Sequence, residues 1–101
     1  MIRFSRHRKL KNALLAATKM DKNRMITGHH LKRGEEIPAD THDVDEWIVI
    51  DNGRCHITNR QYEYELEAGP HIFTVHIPKG EEHAFVALSD MTYFVVKEIK
   101  K

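Results

Sequence analysis

After Asp21 the sequence is a succession of short β-rich runs separated by turn-favouring residues, and this alternation restricts the fold more than any other feature. The separating segments are "KRGEEIPAD", "DNG", "TNR", "EAGP", "IPKGEE" and "LSD". The predicted strands are residues 24–32, 45–50, 54–58, 61–66, 72–77, 83–88 and 92–99. Strands at this spacing, with no helix among them, are typical of an all-β sandwich or barrel.

One short helix is predicted ahead of the strands. Residues 8–19 contain no Gly or Pro. Apolar residues recur there at the i, i+3, i+4 and i+7 spacing of an amphipathic helix, namely Leu10, Ala13, Leu14 and Ala17. We therefore predict an N-terminal helical segment in front of an all-β body.

Length and composition bound the class of protein. A chain of 101 residues is the size of one domain, and we predict a single domain over residues 1–101, with a basic helical segment over 1–21 and a β-barrel over 22–101. Cys55 is the only cysteine, so no internal disulfide can form. No apolar run approaches the ~20 residues of a membrane span, and the N-terminus is too basic and too interrupted for a signal peptide. We expect a cytoplasmic protein with no membrane partner.

Charge is distributed unevenly along the chain. The first twenty residues carry six of the 16 Lys and Arg residues and none of the 15 Asp and Glu residues. Such a basic segment can contact nucleic acid, but Phe4 is the only aromatic residue within it, so the stacking platforms of single-strand binders are missing. A solvated helix face is the preferred interpretation, and nucleic acid is not an expected partner.

The stretch "DTHDVDEWIVIDNG", residues 40–53, places acids and a histidine beside a run of core residues. Asp40, His42 and Glu46 are separated by even numbers, so an extended segment would project all three from one face of a strand. A helix would also bring residues 42 and 46 together, but Pro38 and the β-branched flank favour a strand. Burying these polar groups without partners would cost several kcal/mol, so a partner is expected.

A second polar segment, "IPKGEEH", lies far downstream. Pro78 and Gly80 predict a tight turn, and His83 begins the next predicted strand. Imidazole and carboxylate ligands suit Zn, Fe, Mn or Ni rather than the softer metals that prefer thiolate.

These two segments resemble the two motifs of the cupin family, and the resemblance covers about residues 34–87. The first cupin motif has the pattern G-x5-H-x-H-x3,4-E-x6-G, and the corresponding residues here are Gly34, Asp40, His42, Glu46 and Gly53. The second begins P-x-G-x-x-H, and the corresponding residues are Pro78, Gly80 and His83.

Three positions depart from the family pattern. Asp40 stands where the first motif has a histidine. Gly69 lies nine residues before Pro78, although the pattern has a glycine six before it. Ala87 stands where the second motif often has asparagine.

The resemblance implies a fold, a metal site and an oligomeric state. The fold would be all-β, a cupin-type double-stranded β-helix (jelly-roll barrel) with a short N-terminal helix. His42, Glu46 and His83 would hold a divalent transition metal (Zn, Fe, Mn or Ni), with Asp40 as a fourth ligand or as the partner of a histidine ligand. Small single-domain cupins pair through outer sheet faces and terminal segments, so a homodimer is expected.

The function expected from this resemblance is binding of a divalent metal and of a small polar ligand, sugar-like or an organic acid, with isomerisation or oxygenation as the possible reactions. Two alternatives stay open. One is a non-catalytic small-molecule sensor or dimeric interaction module. The other is a metal-free sugar isomerase in which His42 or His83 is the acid or base. The residue pattern leaves open whether the protein is an enzyme.

Several other residues carry narrower predictions. Trp47 lies on the strand face opposite Glu46, where it packs either under the N-terminal segment or at a subunit contact, and a large aromatic on an outer sheet face favours the subunit contact. His29 and His30 are adjacent, so only one of them can face the interior. Cys55 is expected to be a small packed residue rather than a reactive thiol.

Overall fold

The computed structural model describes residues 2–18, 24–40, 43–59, 63–69 and 71–98, without the side chains of residues 18, 38–40 and 98. The elements in chain order are β1 (Arg3–His7), α1 (Leu10–Thr18), β2 (Arg24–Leu31), β3 (Glu36–Asp40), β4 (Glu46–Thr58), β5 (Glu63–Ala68), β6 (Ile72–Ile77), β7 (His83–Ala87) and β8 (Met91–Glu98). The prediction of an all-β fold with one short N-terminal helix is confirmed.

The strands form two antiparallel layers that share β4. The first half of β4 pairs with β6 and β8, and these are flanked by β1 and β2 respectively. The second half of β4 pairs with β5 and β7, and β7 pairs with β3. One long strand therefore joins the two layers of the barrel.

The passage of β4 between the layers occurs at Gly53, within the "DNG" segment that was predicted to be a turn. Gly53 has φ 106°, and the pairing of β4 with β8 shifts register between Ile50 and Asn52. A Cβ at residue 53 would lie 2.5 Å from the Asp90 carbonyl oxygen and 2.5 Å from Met91 Cβ. The close backbone approach and the positive φ both require glycine, so the chain bends here without ending the strand.

Successive side chains in the first half of β4 point alternately into the barrel and to its outer face. Ile48 and Ile50 belong to the core between the layers, whereas Trp47 and Val49 belong to a second cluster beneath α1. Helix α1 approaches this outer face closely because its contacting residues are small. Ala13 and Ala17, each 0% exposed, make this contact. Trp47 therefore packs under the N-terminal segment, the less favoured of its two predicted positions.

Strands β1 and β3 were not predicted. The predicted strands 45–50 and 54–58 form one continuous strand, β4. β1 has mostly exposed polar residues and lacks the alternation of a half-buried strand. β3 lies inside the segment "KRGEEIPAD", where Gly and Pro indicated a loop, and its pairing with β7 shifts register between Ile37 and Asp40. Proline is tolerated in such an irregular strand. In the described ranges no helix is long and apolar enough to cross a membrane.

Candidate ligand and metal site

A cavity of about 290 Å³ lies between the layers, lined by residues from β2, β3, β4, β7 and β8. Much of its wall is apolar, with Ile48 and Phe85 among the contributors. Its polar lining residues are Thr27, His29, Glu46, His83, Tyr93 and Lys97. An apolar pocket with a few converging polar groups is the usual form of a small-molecule site.

Glu46 is the buried acid of this cavity. It begins β4, shares the inward face with Ile48, and is only 4% exposed. Its register partner on β8 is Lys97, whose Nζ lies 3.5 Å from Glu46 Oε2. The lysine side chain is 35% exposed, so its ammonium group links the buried carboxylate to the outer part of the cavity.

His83 is the buried imidazole of the cavity. It begins β7, is 3% exposed, and its Nδ1 lies 3.1 Å from the carbonyl oxygen of Glu81. Because a carbonyl oxygen can only accept, Nδ1 carries the proton, and in a neutral ring Nε2 is then an acceptor. This Nε2 lies 3.7 Å from Glu46 Oε1. A metal, or an additional proton on the ring, would make this approach of two acceptors attractive.

The two candidate ligand atoms, His83 Nε2 and Glu46 Oε1, fit half of a metal site. Two ligand atoms at about 2.1 Å from a shared tetrahedral ion are about 3.4 Å apart, which is close to the 3.7 Å that separates His83 Nε2 from Glu46 Oε1. The hydrogen bond from Nδ1 to the Glu81 carbonyl also orients the ring as in typical metal-ligating histidines. Within the described ranges, no group of three or more His, Cys, Asp or Glu side chains is placed to hold a metal.

The other two predicted ligands are His42 and Asp40. His42 lies outside the described residues, as does the side chain of Asp40. The backbone of Asp40 is the register partner of His83 in the pairing of β3 with β7. Strand pairing therefore brings this end of β3 to the metal-ligating candidate on β7.

The prediction that residues 40 and 46 lie on a single strand was wrong, and residue 42, the third member of that set, lies outside the described residues. β3 ends at Asp40 and β4 begins at Glu46, with Asp43, Val44 and Asp45 between the two strands. Asp residues favour such connections because their side chains bond to nearby backbone groups. The chain thus changes layers here, and even spacing does not decide which side chains meet. The continuation of the Glu46 face by Ile48 and Ile50 was correct.

Lys97 and Tyr93 share the inward face of β8 and were not among the predicted site residues. Both line the cavity at i and i+4, and inward alternation along the predicted strand 92–99 was the signal that could have found them. Burial, and secondly the negative charge of Glu46, raise the pKa of Tyr93, so its phenol stays protonated and can donate a hydrogen bond.

His29 is the member of the histidine pair that lines the cavity. Its ring stacks on Tyr93, with 5.2 Å between centroids, and its Nε2 lies 2.9 Å from the Thr27 hydroxyl oxygen. The wall formed by β2 and β8 therefore carries several side chains with hydrogen-bonding groups.

Asp45 lies outside this cavity. The carboxylate of Asp45 accepts a hydrogen bond from the backbone N–H of Lys79 at 2.8 Å, and its other oxygen lies 3.3 Å from His76 Nε2. It thus ties the start of β4 to the turn after β6, a role that was not predicted.

Cys55 is 0% exposed, and burial raises the pKa of its thiol to about 12, so it is an unreactive packed residue.

Comparison with solved structures relates this architecture to known proteins. A cupin superfamily protein from Desulfitobacterium hafniense DCB-2 has a TM-score of 0.66 at 13% identity, covering 99% of this chain and 79% of that one. An RmlC-like cupin family protein with a double-stranded β-helix fold, from Methanocaldococcus jannaschii, has a TM-score of 0.64 at 22% identity, covering 75% and 70%. The DMSP lyase DddQ from Ruegeria pomeroyi DSS-3 has a TM-score of 0.63 at 19% identity, covering 77% and 39%.

These likenesses concern the fold, since all three identities are low. No protein-family model matches the sequence, and no curated protein matches it significantly. The two layers joined by β4, the short helix and the structural likenesses together show that the chain has the cupin fold, a double-stranded β-helix.

Proposed function

We propose that the barrel cavity binds one divalent transition metal and, beside it, a small polar ligand. The observation that carries the proposal is the 3.7 Å approach of His83 Nε2 to Glu46 Oε1 while Nδ1 of the same ring donates to a backbone carbonyl. A metal bound by both acceptor atoms would replace the repulsion between them with attraction to a shared cation. The ligands would be His42, Glu46 and His83, with Asp40 as a fourth ligand or a supporting partner.

The metal would be Zn, Fe, Mn or Ni, and when bound it would polarise a hydroxyl, carbonyl or carboxylate of the ligand as a Lewis acid. The residues of this chain contribute the rest. The Glu81 carbonyl keeps the proton of His83 on Nδ1, and Tyr93 offers a protonated phenol to a ligand oxygen. Ile48 and Phe85 give the cavity an apolar wall.

The proposal is made for binding, and turnover is a separate test. One structural neighbour is a lyase, but a fold does not determine an activity. Isomerisation or oxygenation of the bound ligand would extend the proposal to catalysis. A protein that binds metal and ligand but turns nothing over would be a small-molecule sensor.

Elemental analysis of protein purified without chelator or affinity tag tests the metal. We expect close to one transition metal per chain, and loss of that metal in the double variant His42→Ala, His83→Ala. His76→Ala is the matched control, because His76 lies on the outer face against Trp47. A folded wild-type protein that stays metal-free after exposure to Zn, Mn, Fe and Ni would refute the proposal.

A second candidate, a metal-free isomerase with His83 as acid or base, is favoured by the position of Lys97. Its ammonium group lies 3.5 Å from Glu46 Oε2, so a cation already accompanies that carboxylate. In this case the cation facing Glu46 Oε1 would be a proton on His83. ¹⁵N NMR of the His83 ring in folded, chelator-treated protein would show both nitrogens protonated, and its wild-type spectrum would not change on addition of metal.

We also propose that the chain forms a homodimer through β2 and the adjoining surface of α1. β2 pairs with β8 only, so among the described strands it is an edge of its layer. Beside it lies a largely apolar depression of about 440 Å³ lined by Leu10, Leu14, Leu15, Ile26 and one charged residue, Lys11. Leu15 is 52% exposed and Ile26 45%. An edge strand next to an apolar surface can pair with the same edge of a second copy.

A further inference from the structure

Lys97 is the one fully charged cation that lines the cavity within the described ranges, and Glu46 is the one acid. The two are register partners on β8 and β4, with Nζ 3.5 Å from Oε2. Their exposure differs, since the lysine side chain is 35% exposed and the glutamate side chain 5%. The ammonium group therefore lies on the outer side of the buried carboxylate, where an entering ligand would meet it.

The charges of the cavity decide which ligand it favours. Glu46 and Lys97 cancel each other, so a divalent metal on Glu46 and His83 would leave the described cavity with an excess of two positive charges. If Asp40 were also a ligand, an excess of one positive charge would remain. A buried excess charge is unfavourable unless it is paired, so an anionic ligand would be stabilised in this cavity relative to a neutral one.

Hydrogen-bonding side chains of the same wall suit the oxygens of such a ligand. Tyr93 shares the inward face of β8 with Lys97. Its phenol hydroxyl can donate a hydrogen bond to a ligand oxygen. His29 and Thr27 line the cavity from the neighbouring strand β2. A volume of about 290 Å³ corresponds to roughly ten water molecules at ~30 Å³ each, so the ligand is small.

We propose that Lys97 is the carboxylate-binding residue of this cavity and that the ligand is a small organic acid rather than a neutral sugar. The inference rests on the proposed metal site for the excess of positive charge. Lys97 itself is a residue of this chain that the cupin motifs do not include. Its role would be to fix the carboxylate of the ligand at the outer end of the cavity, while the remaining oxygens lie toward the metal that His83 and Glu46 would hold.

Calorimetric titration of the metal-loaded protein with matched probes tests the inference. Glycolate, malate and malonate are compared with the neutral probes glycolamide, malonamide and arabinose. We expect the wild-type protein to bind at least one acid, and to bind it at least tenfold more tightly than the neutral probes, namely the amides of glycolate and malonate and, for malate, arabinose. Lys97→Met should weaken that binding at least tenfold, whereas Lys97→Arg, which keeps the charge, should stay within about threefold.

Metal content, measured in the same samples, separates this inference from the proposed function. Lys97→Met should keep the metal, because the lysine is not a ligand, and circular dichroism should show it folded. Lys79→Met is the matched control, since Lys79 is exposed in the turn after β6 and outside the cavity. Three results would overturn the inference while the metal site stands. These are that the acids do not bind, that they bind no more tightly than the neutral probes, or that their binding is unchanged in Lys97→Met. If the folded protein takes up no metal and still binds the acids through Lys97, the proposed metal site fails and the carboxylate site stands without it.

Discussion

Glu46 and His83 show what residue types alone can predict. A carboxylate and an imidazole at cupin-like spacing indicated a shared site, and both are buried beside one cavity. The tautomer of His83 could not be predicted, because it depends on the Glu81 carbonyl, which only the folded turn brings to Nδ1. Lys97 was missed because a lysine near the end of a predicted strand is ordinarily solvated.

Cys55 carries a residue-scale prediction on alkaline stability. Burial raises its pKa from 9.0 in the unfolded chain to about 12 in the folded protein. Above pH 9 the unfolded chain therefore loses a proton that the folded protein retains, so the free energy of unfolding falls as pH rises, with a limiting slope of about 1.4 kcal/mol per pH unit. Cys55→Ala should show a shallower slope.

Urea unfolding at steps between pH 8.5 and 10 measures this slope. The interval excludes most of the contribution of Tyr93, whose raised pKa acts with the same sign but only above its ordinary value of 10.0. Identical slopes for the wild-type protein and Cys55→Ala would show that the thiol ionises in the folded state as it does in the unfolded chain.

At the scale of elements, alternation predicted strands well where one face is buried. β6 has the predicted bounds, and β2 and β7 end one residue early. β1 was missed because most of its residues are exposed, and β3 because Gly34 and Pro38 indicated a loop. Whether "DNG" ends a strand or bends it depends on the contact of Gly53 with Asp90 and Met91, which lie far away in the sequence.

Gly53 carries the prediction for the bend in β4. Gly53→Ala should cost about 1–3 kcal/mol for the positive φ, plus the displacement of the Asp90 backbone, which lies 2.5 Å from the added Cβ. Gly34→Ala is the matched control, because Gly34 also has a positive φ, 89°, but nothing lies within 4 Å of its added Cβ. Urea unfolding of both variants should show the larger loss for residue 53. Equal losses would mean that the backbone approach to β8 adds nothing to the requirement for glycine.

At the scale of the whole molecule, the basic residues of the N-terminal segment are divided between a strand and a helix. Arg3 and Arg6 belong to β1, and Lys11 belongs to α1. All three are exposed. The helix was predictable because Leu10, Ala13 and Leu14 form its apolar stripe, but its position over the outer face of β4 depends on which side of the barrel Trp47 and Val49 occupy.

The homodimer is the whole-molecule prediction. Light scattering after size exclusion should give a mass twice the chain mass of 11.8 kDa. Ile26→Glu, which puts a charge on the exposed apolar surface of β2, should shift the protein to monomer because an unpaired charge would be buried at the contact. Glu63→Lys on the exposed face of β5 is the control and should stay dimeric. A monomeric wild-type protein at all concentrations would contradict the pairing.

Zinc content after reloading, compared between the wild-type protein and Glu46→Gln, tests the metal site through the carboxylate. Glutamine keeps the size of Glu46 but removes the charge that faces His83 Nε2 at 3.7 Å. Glu65→Gln, an exposed position on β5, is the matched control. We predict about one zinc per chain in the wild-type protein and in Glu65→Gln, and less than a tenth of that in Glu46→Gln. Equal zinc in all three folded proteins would show that Glu46 holds no metal.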